Sequence, residues 1–320
     1  MSESASQELS VSASSDDRGQ SLFGRRRSRR WMEAGIHAAL ALCSAASILT
    51  TTGIVLVLVM ESIGFFSEVS LWEFATGTRW TPLLKPRHFG VLPLLCGTLL
   101  VALGSGVVAI PLGLAAAVYL AEYASPRFRA IVKPVLEVLA GIPSVVYGYF
   151  AVVFVTPLLR TVFPSIQVFN AASACVVVGI MVLPMVVSLS EEALRAVPRS
   201  LRDAAYALGS TKLDVTARVV IPAAMSGIAS SFLLAVSRAI GETMAAALAA
   251  GATPKLTLNP LESVQTMSAY IVQVSLGDTP AGTLEYRTIF AVGMALFLLT
   301  LVFNIASQWI RFRFQQRGIA

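Results

Sequence analysis

Residues 191–218 read EEALRAVPRSLRDAAYALGSTKLDVTAR, a charged interlude between two long apolar runs. A loop joining two membrane helices needs only a handful of residues, and this one carries a helical pattern of its own. Leu201, Ala204, Ala205 and Leu208 recur at three- and four-residue spacing, and Gly209 stands where such a helix would stop. An amphipathic helix held at a membrane surface suits a groove on a soluble partner. The interlude closes on Val219-Val220-Ile221-Pro222, where the next apolar run begins.

Outward from this stretch the chain is a membrane protein. Of its 320 residues 56% are apolar and only 13% charged, against about 25% charged in soluble domains. Mean hydropathy is +0.74. A hydrocarbon core of roughly 30 Å takes about 20 helical residues, and six runs reach that length: 34–60, 92–120, 134–158, 171–190, 223–251 and 288–310. Pro111 and Pro143 lie inside the second and third, which membrane helices tolerate. The expected fold is all-α and polytopic, with six transmembrane helices.

The net charge of +6 follows topology, not nucleic acid. With the N-terminus inside, six Lys and Arg residues fall in the first tail, three in 127–133, five in 195–218 and three at the C-terminus. The outer loops hold only Arg79, Lys85, Arg87, Arg160 and Lys255. Retention of positive charge predicts that both termini are cytoplasmic. Cys43, Cys96 and Cys175 fall in apolar runs without paired spacing, and His37 and His88 are isolated. They give no disulfide and no metal site.

The Ser-rich start reads as unstructured, and the basic run Arg25–Arg30 with Trp31 as an interfacial anchor before the first span. The apolar run that follows is too long for a signal-peptide core. The expected organisation is a disordered basic tail over 1–30, a first span with its extracytoplasmic loop over 31–90, and a permease-like domain over 91–315. In the outer loop 61–90, Phe65, Phe66, Trp72, Phe74, Trp80 and Phe89 are expected at headgroup level. Residues 263–276 read as a short helix, lying either at the interface or across the mouth of a pathway.

No catalytic or cofactor motif stands out. Gly209-Ser210-Thr211-Lys212 has the letters of a phosphate loop with the wrong spacing, and it ends a helix where a phosphate loop would open one. The costly residues sit in the fifth run, Ser237-Arg238-Ala239-Ile240-Gly241-Glu242-Thr243. A charge at mid-membrane costs about 2.5–3.5 kcal/mol on insertion scales. Arg238 and Glu242 are four apart and would share one helical face. Either they pair to hold helices together, or they line a polar path where the guanidinium receives an anion, with Ser237 and Thr243 as hydroxyl donors. Glu137, beside Gly141-Ile142-Pro143-Ser144, is a second intramembrane acid with the same two readings.

Asp203-Ala204-Ala205, Gly209 after three intervening residues, and then Val219-Val220-Ile221-Pro222 resemble the E-A-A-x3-G-x9-I-x-L-P signature of ABC importer permeases. Asp203 stands for the usual Glu, and Val219 and Ile221 for Ile and Leu. The strings Phe89–Pro93, Gly97-Thr98, Leu120–Tyr123, Leu139–Gly148 and Arg238–Met244 are similar to phosphate permeases of the PstC type, over roughly 31–311. The resemblance implies a type I importer permease fold in a bacterial inner membrane, with a coupling helix at about 199–214 seated in an ATPase groove. It implies a PstA-type permease partner, two PstB-type ATPase subunits, a PstS-type binding protein and inorganic phosphate as cargo. It also implies a role for Arg238 and Glu242 in phosphate passage, and for Asp203, Ala204, Ala205, Gly209 and Pro222 in coupling. Hydrolysis would belong to the partner ATPase, and no cofactor is expected. The alternatives are a permease for another oxyanion such as sulfate or molybdate, and an anion carrier driven by an ion gradient.

Overall fold

The computed structural model describes residues 3–317, with side chains at position 33 and over 35–309. The regular elements there are all helical, and one isolated antiparallel bridge pairs Trp80 with Phe89. By internal contacts the chain divides into 1–57 and 58–320. The first unit lies within helix α1 (Glu3–Phe66), whose described side chains are mostly exposed there. Its backbone is helical from Glu3, where the sequence reading expects an unstructured tail over 1–30. No proline precedes Pro82, so nothing in the sequence removes a ladder bond from this helix.

The second unit continues with α2 (Leu71–Thr76), α3 (Leu92–Val118), α4 (Pro126–Gly141), α5 (Ser144–Phe150), α6 (Thr156–Val162) and α7 (Ala171–Arg195). There follow α8 (Arg199–Ala207), α9 (Lys212–Val215), α10 (Ile221–Ile240), α11 (Met244–Ala250), α12 (Met267–Leu276) and α13 (Leu284–Arg317). Among the described residues six helical stretches are long and apolar enough to cross a membrane: Gly35–Phe66, Leu92–Tyr123, Ser144–Val162, Ala171–Arg195, Lys212–Ile240 and Leu284–Trp309. The number is the one the apolar runs predict; most boundaries move by a few residues, and those of the third and fifth spans by ten or more.

The third span begins at Ser144, not 134. Pro143 drives the preceding residue out of the helical region, and Ile142 is extended at φ −67°, ψ 129°. α4 is therefore a separate helix, and the Tyr147 hydroxyl bridges the break by donating to the Leu139 carbonyl at 2.8 Å. The fifth run also divides: α10 stops at Ile240, Gly241 caps it, and α11 starts afresh at Met244. The Glu242 carboxylate accepts from the Ala245 amide at 3.2 Å, satisfying one donor at the new N-terminus. Of three π-helical turns among the described residues, one is Tyr119–Tyr123, and the other two, Ala151–Val155 and Thr216–Val220, each end two residues before a proline, Pro157 and Pro222. The wider turn accommodates the missing N–H and the ring.

α3 and α7 pack most closely, through small residues as lipid-embedded helices require. A Cβ on Gly104 would meet Cys175 Sγ at 2.3 Å, and one on Gly113 would meet Val186 Cγ1 at 2.6 Å. Ser190 and Ser231 hydroxyls, 2.7 Å apart and buried, tie α7 to α10. At one end Phe65, Phe74, Trp80 and Phe89 form a buried edge-to-face cluster that Tyr270 of α12 completes. The expected headgroup belt is thus largely a small core, because successive T-shaped contacts let these rings bury one another. Trp72, 78% exposed, is the aromatic that keeps the predicted position facing outward. α12 is held inside the fold: the Met267 amide donates to Thr98 Oγ1 at 2.9 Å, and Ser268 Oγ to the Glu242 carbonyl at 2.8 Å.

Candidate functional site

A cavity of about 300 Å³ opens between α4, α7 and α10. Met181, Pro184, Met185 and Ser188 line it from α7, at the three- and four-residue spacing of one helical face and near the helix's midpoint. α4 contributes Leu136, Glu137 and Ala140, and the last turn of α10 contributes Arg238. The walls are otherwise apolar, so the cavity holds one guanidinium, one carboxylate and one hydroxyl. Arg238 is exposed and forms no ion pair among the described residues, and the same is true of Glu137. A guanidinium with free donors has the chemistry to receive an oxyanion.

Of the residues singled out in the sequence, the structure brings Arg238 and Glu137 together here. Ser237, Glu242 and Thr243 do not line this cavity. The Arg238–Glu242 pairing needs a continuous helix, and the break at Gly241 removes the shared face. Glu242 caps α11 instead, and Thr243 Oγ1 turns back to the Gly241 carbonyl at 3.3 Å. Ser188 escaped the sequence reading because it is one serine in an apolar run.

A second polar cluster also went unread. Glu191, 1% exposed, sits 3.0 Å from Lys133, 3.4 Å from Arg129 and 3.5 Å from Arg195. Arg129 and Lys133 are four apart on α4, and Glu137 continues the same stripe one turn further. That spacing was visible in the sequence, but its partner on α7 was not. Arg129 also donates to the Leu120 and Ala121 carbonyls, which ties α4 to the end of the second span.

The predicted docking helix is present and shorter than expected. It is α8, Arg199–Ala207, where the sequence reading extends to 214; Gly209 adopts φ +80° and ends it. That left-handed conformation costs other L-residues roughly 1–2 kcal/mol. Residues 212–214 belong instead to the helical rod of the fifth span, because Thr211 caps it by accepting from the Asp214 amide at 3.3 Å. Ala205 packs against the bundle over Leu194, Val197, Val215 and Val220. Asp203, Ala204, Tyr206 and Leu208 face outward, Leu208 at 88% exposure. Arg202 fastens the helix to the bundle, donating to Glu122 at 3.0 Å and to the Leu194 carbonyl at 2.8 Å. Pro222 is exposed in the first turn of α10. An anchored helix with apolar knobs pointing away from its own protein has the form of a docking surface.

Residues 109–317 match the family described as binding-protein-dependent transport system inner membrane component. The probable ABC transporter permease protein YqgH of Bacillus subtilis (strain 168) is 29% identical over 294 residues, covering 91% of this chain and 95% of that protein. The phosphate transport system permease protein PstA 1 of Mycobacterium tuberculosis (strain CDC 1551 / Oshkosh) is 35% identical over 240 residues, 73% of this chain and 76% of that protein. PstC of Mesorhizobium japonicum, also named a phosphate transport system permease, is 29% identical over 265 residues, covering 77% and 80%. Among solved structures, an inward-facing form of the MetNI methionine ABC transporter aligns with a TM-score of 0.52 at 17% identity, covering 70% of this chain and 94% of that one. That likeness speaks for the fold alone.

Proposed function

The chain belongs to the binding-protein-dependent transport system inner membrane component family, and from that premise we propose that it is a permease subunit of an ATP-driven importer of inorganic phosphate. The observation that carries this reading is the cavity in which Arg238 stands unpaired. Relatives named as phosphate permeases, at about the same identity over most of the chain, support phosphate as the anion. The chain supplies half of a translocation path and a docking helix, and a separate ATPase pair supplies hydrolysis. A second permease of the PstA type, a PstB-type ATPase dimer and a PstS-type binding protein complete the assembly. The protein crosses the bacterial inner membrane, and its charge distribution supports two cytoplasmic termini.

The mechanical link is the rod Lys212–Ile240. Its first turn follows the docking helix across Gly209, and its last turn holds Arg238. A groove that moves α8 when ATP binds therefore moves the guanidinium against α4 and α7. Coupling requires the docking surface to bind the two ATPase states with different affinity, since equal affinity shifts no population. Arg238 takes phosphate released by the binding protein and yields it when the cavity walls part.

The test is phosphate uptake in proteoliposomes holding the full complex with its binding protein. Arg238→Gln is expected to assemble normally and to lose uptake. Normal phosphate uptake by that variant would refute the pathway reading. Transport by this chain without any ATPase would favour a gradient-driven carrier instead.

A further inference from the structure

We infer that the cavity between α4, α7 and α10 selects tetrahedral oxyanions that carry a proton, with Glu137 accepting the hydrogen bond from the ligand's own O–H. This rests on the pathway reading above and adds a specificity residue to it. Glu137 is available for the task. The cation one turn before it on α4, Lys133, is engaged by Glu191 at 3.0 Å, and Arg129 lies against the same carboxylate at 3.4 Å. Glu137 itself has no ion pair or hydrogen bond among the described residues, yet it lines the same 300 Å³ cavity as Arg238.

An anion bound there meets a guanidinium from α10 and a carboxylate from α4. The guanidinium offers donors only, and the ionised carboxylate offers acceptors only. A fully deprotonated oxyanion such as sulfate satisfies Arg238 but presents lone pairs and like charge to Glu137. Hydrogen phosphate and dihydrogen phosphate each keep an O–H at neutral pH, which Glu137 accepts while the other oxygens take the guanidinium. Ser188 both donates and accepts and so does not choose between them. A site built to bond a ligand O–H rejects the analogue lacking it far more strongly than a merely tight site does. Because Glu137 is exposed, water softens the penalty, and the expected preference is about tenfold, well below the extremes of enclosed sites.

The experiment is ³¹P line broadening of inorganic phosphate by the nanodisc complex of both permeases and the ATPase, without the binding protein, at neutral pH. Sulfate and arsenate serve as competitors; arsenate shares phosphate's shape and keeps a proton. In the wild type arsenate should displace phosphate at comparable concentration, whereas sulfate should need about tenfold more. Glu137→Gln, whose amide donates to a bare oxygen, should let sulfate compete at nearly equal concentration, and Glu137→Asp should keep the preference. Equal competition by sulfate and arsenate in the wild type overturns the inference and requires no variant to fold. An unchanged sulfate requirement in an assembled Glu137→Gln complex also overturns it. Absence of broadening by the wild type, or broadening that survives Arg238→Gln, sinks the pathway reading instead.

Discussion

Along α4, one stripe of charge meets two different fates. Arg129 and Lys133 lie against the buried Glu191, which Arg195 also approaches, so the acid has three cations within 3.5 Å. One turn further, Glu137 shares a cavity with Arg238, and neither has an ion-pair partner among the described residues. The first cluster has spent its charges on its own protein and joins α4, α7 and the end of the second span. The second lines a cavity with charges that no described residue pairs. Charge engaged within the fold thus stands against charge left beside a cavity, and the proposed pathway rests on the second.

The sharpest way to break this comparison is to remove one charge from each region. Arg238→Gln should lower phosphate uptake by about ten- to a hundredfold, from the loss of charge-assisted hydrogen bonds worth about 1.5–3 kcal/mol. Its thermal unfolding should match the wild type, because Arg238 holds no ion-pair partner among the described residues. Glu191→Gln should do the reverse. It leaves three neighbouring cations without their acid, and truncating one member of a buried pair costs about 3–5 kcal/mol. Since Lys133 and Arg195 reach solvent, the expected loss is smaller, about 1–3 kcal/mol. Unfolding of the purified complex and amide exchange in α4 would register it, while uptake per folded complex should change little.

Smaller effects sharpen the picture. Gly209→Ala meets no atom within 4 Å, so its cost is the backbone's alone, about 1–2 kcal/mol at φ +80°. That strain falls at the joint between α8 and the rod. Phosphate-stimulated ATP hydrolysis should therefore lose more than binding-protein-independent hydrolysis does. Ser188→Ala removes a neutral hydrogen bond of about 0.5–1.5 kcal/mol and should raise the KM for uptake two- to tenfold with little change in kcat. An effect as large as that of Arg238→Gln would move the centre of the site onto α7.

The number of spans and the docking helix were legible because both rest on patterns within one segment: apolar length, three-four spacing and a glycine stop. The break at Gly241-Glu242-Thr243 was not, since an apolar run on both sides of a short polar string looks the same whether or not the helix continues. Pro143 does announce that residue 142 is extended, but a membrane helix can also carry a proline within one span, so the sequence alone does not choose between a kink and a break. The cavity was half legible. Arg238 stands out by its cost in a membrane; Glu137 stands out the same way in the sequence, but the structure puts it on α4, outside the six spans. Ser188 and the Glu191 cluster acquire meaning only when α4 is laid against α7.

The most direct test of the central claim is phosphate uptake by Arg238→Gln, normalised to assembled complex and run beside Glu191→Gln at a temperature where both are folded. The account predicts that Arg238→Gln is assembled and nearly inactive while Glu191→Gln transports in proportion to what remains folded. Uptake retained by Arg238→Gln and lost per folded complex by Glu191→Gln would place the functional charge in the other cluster.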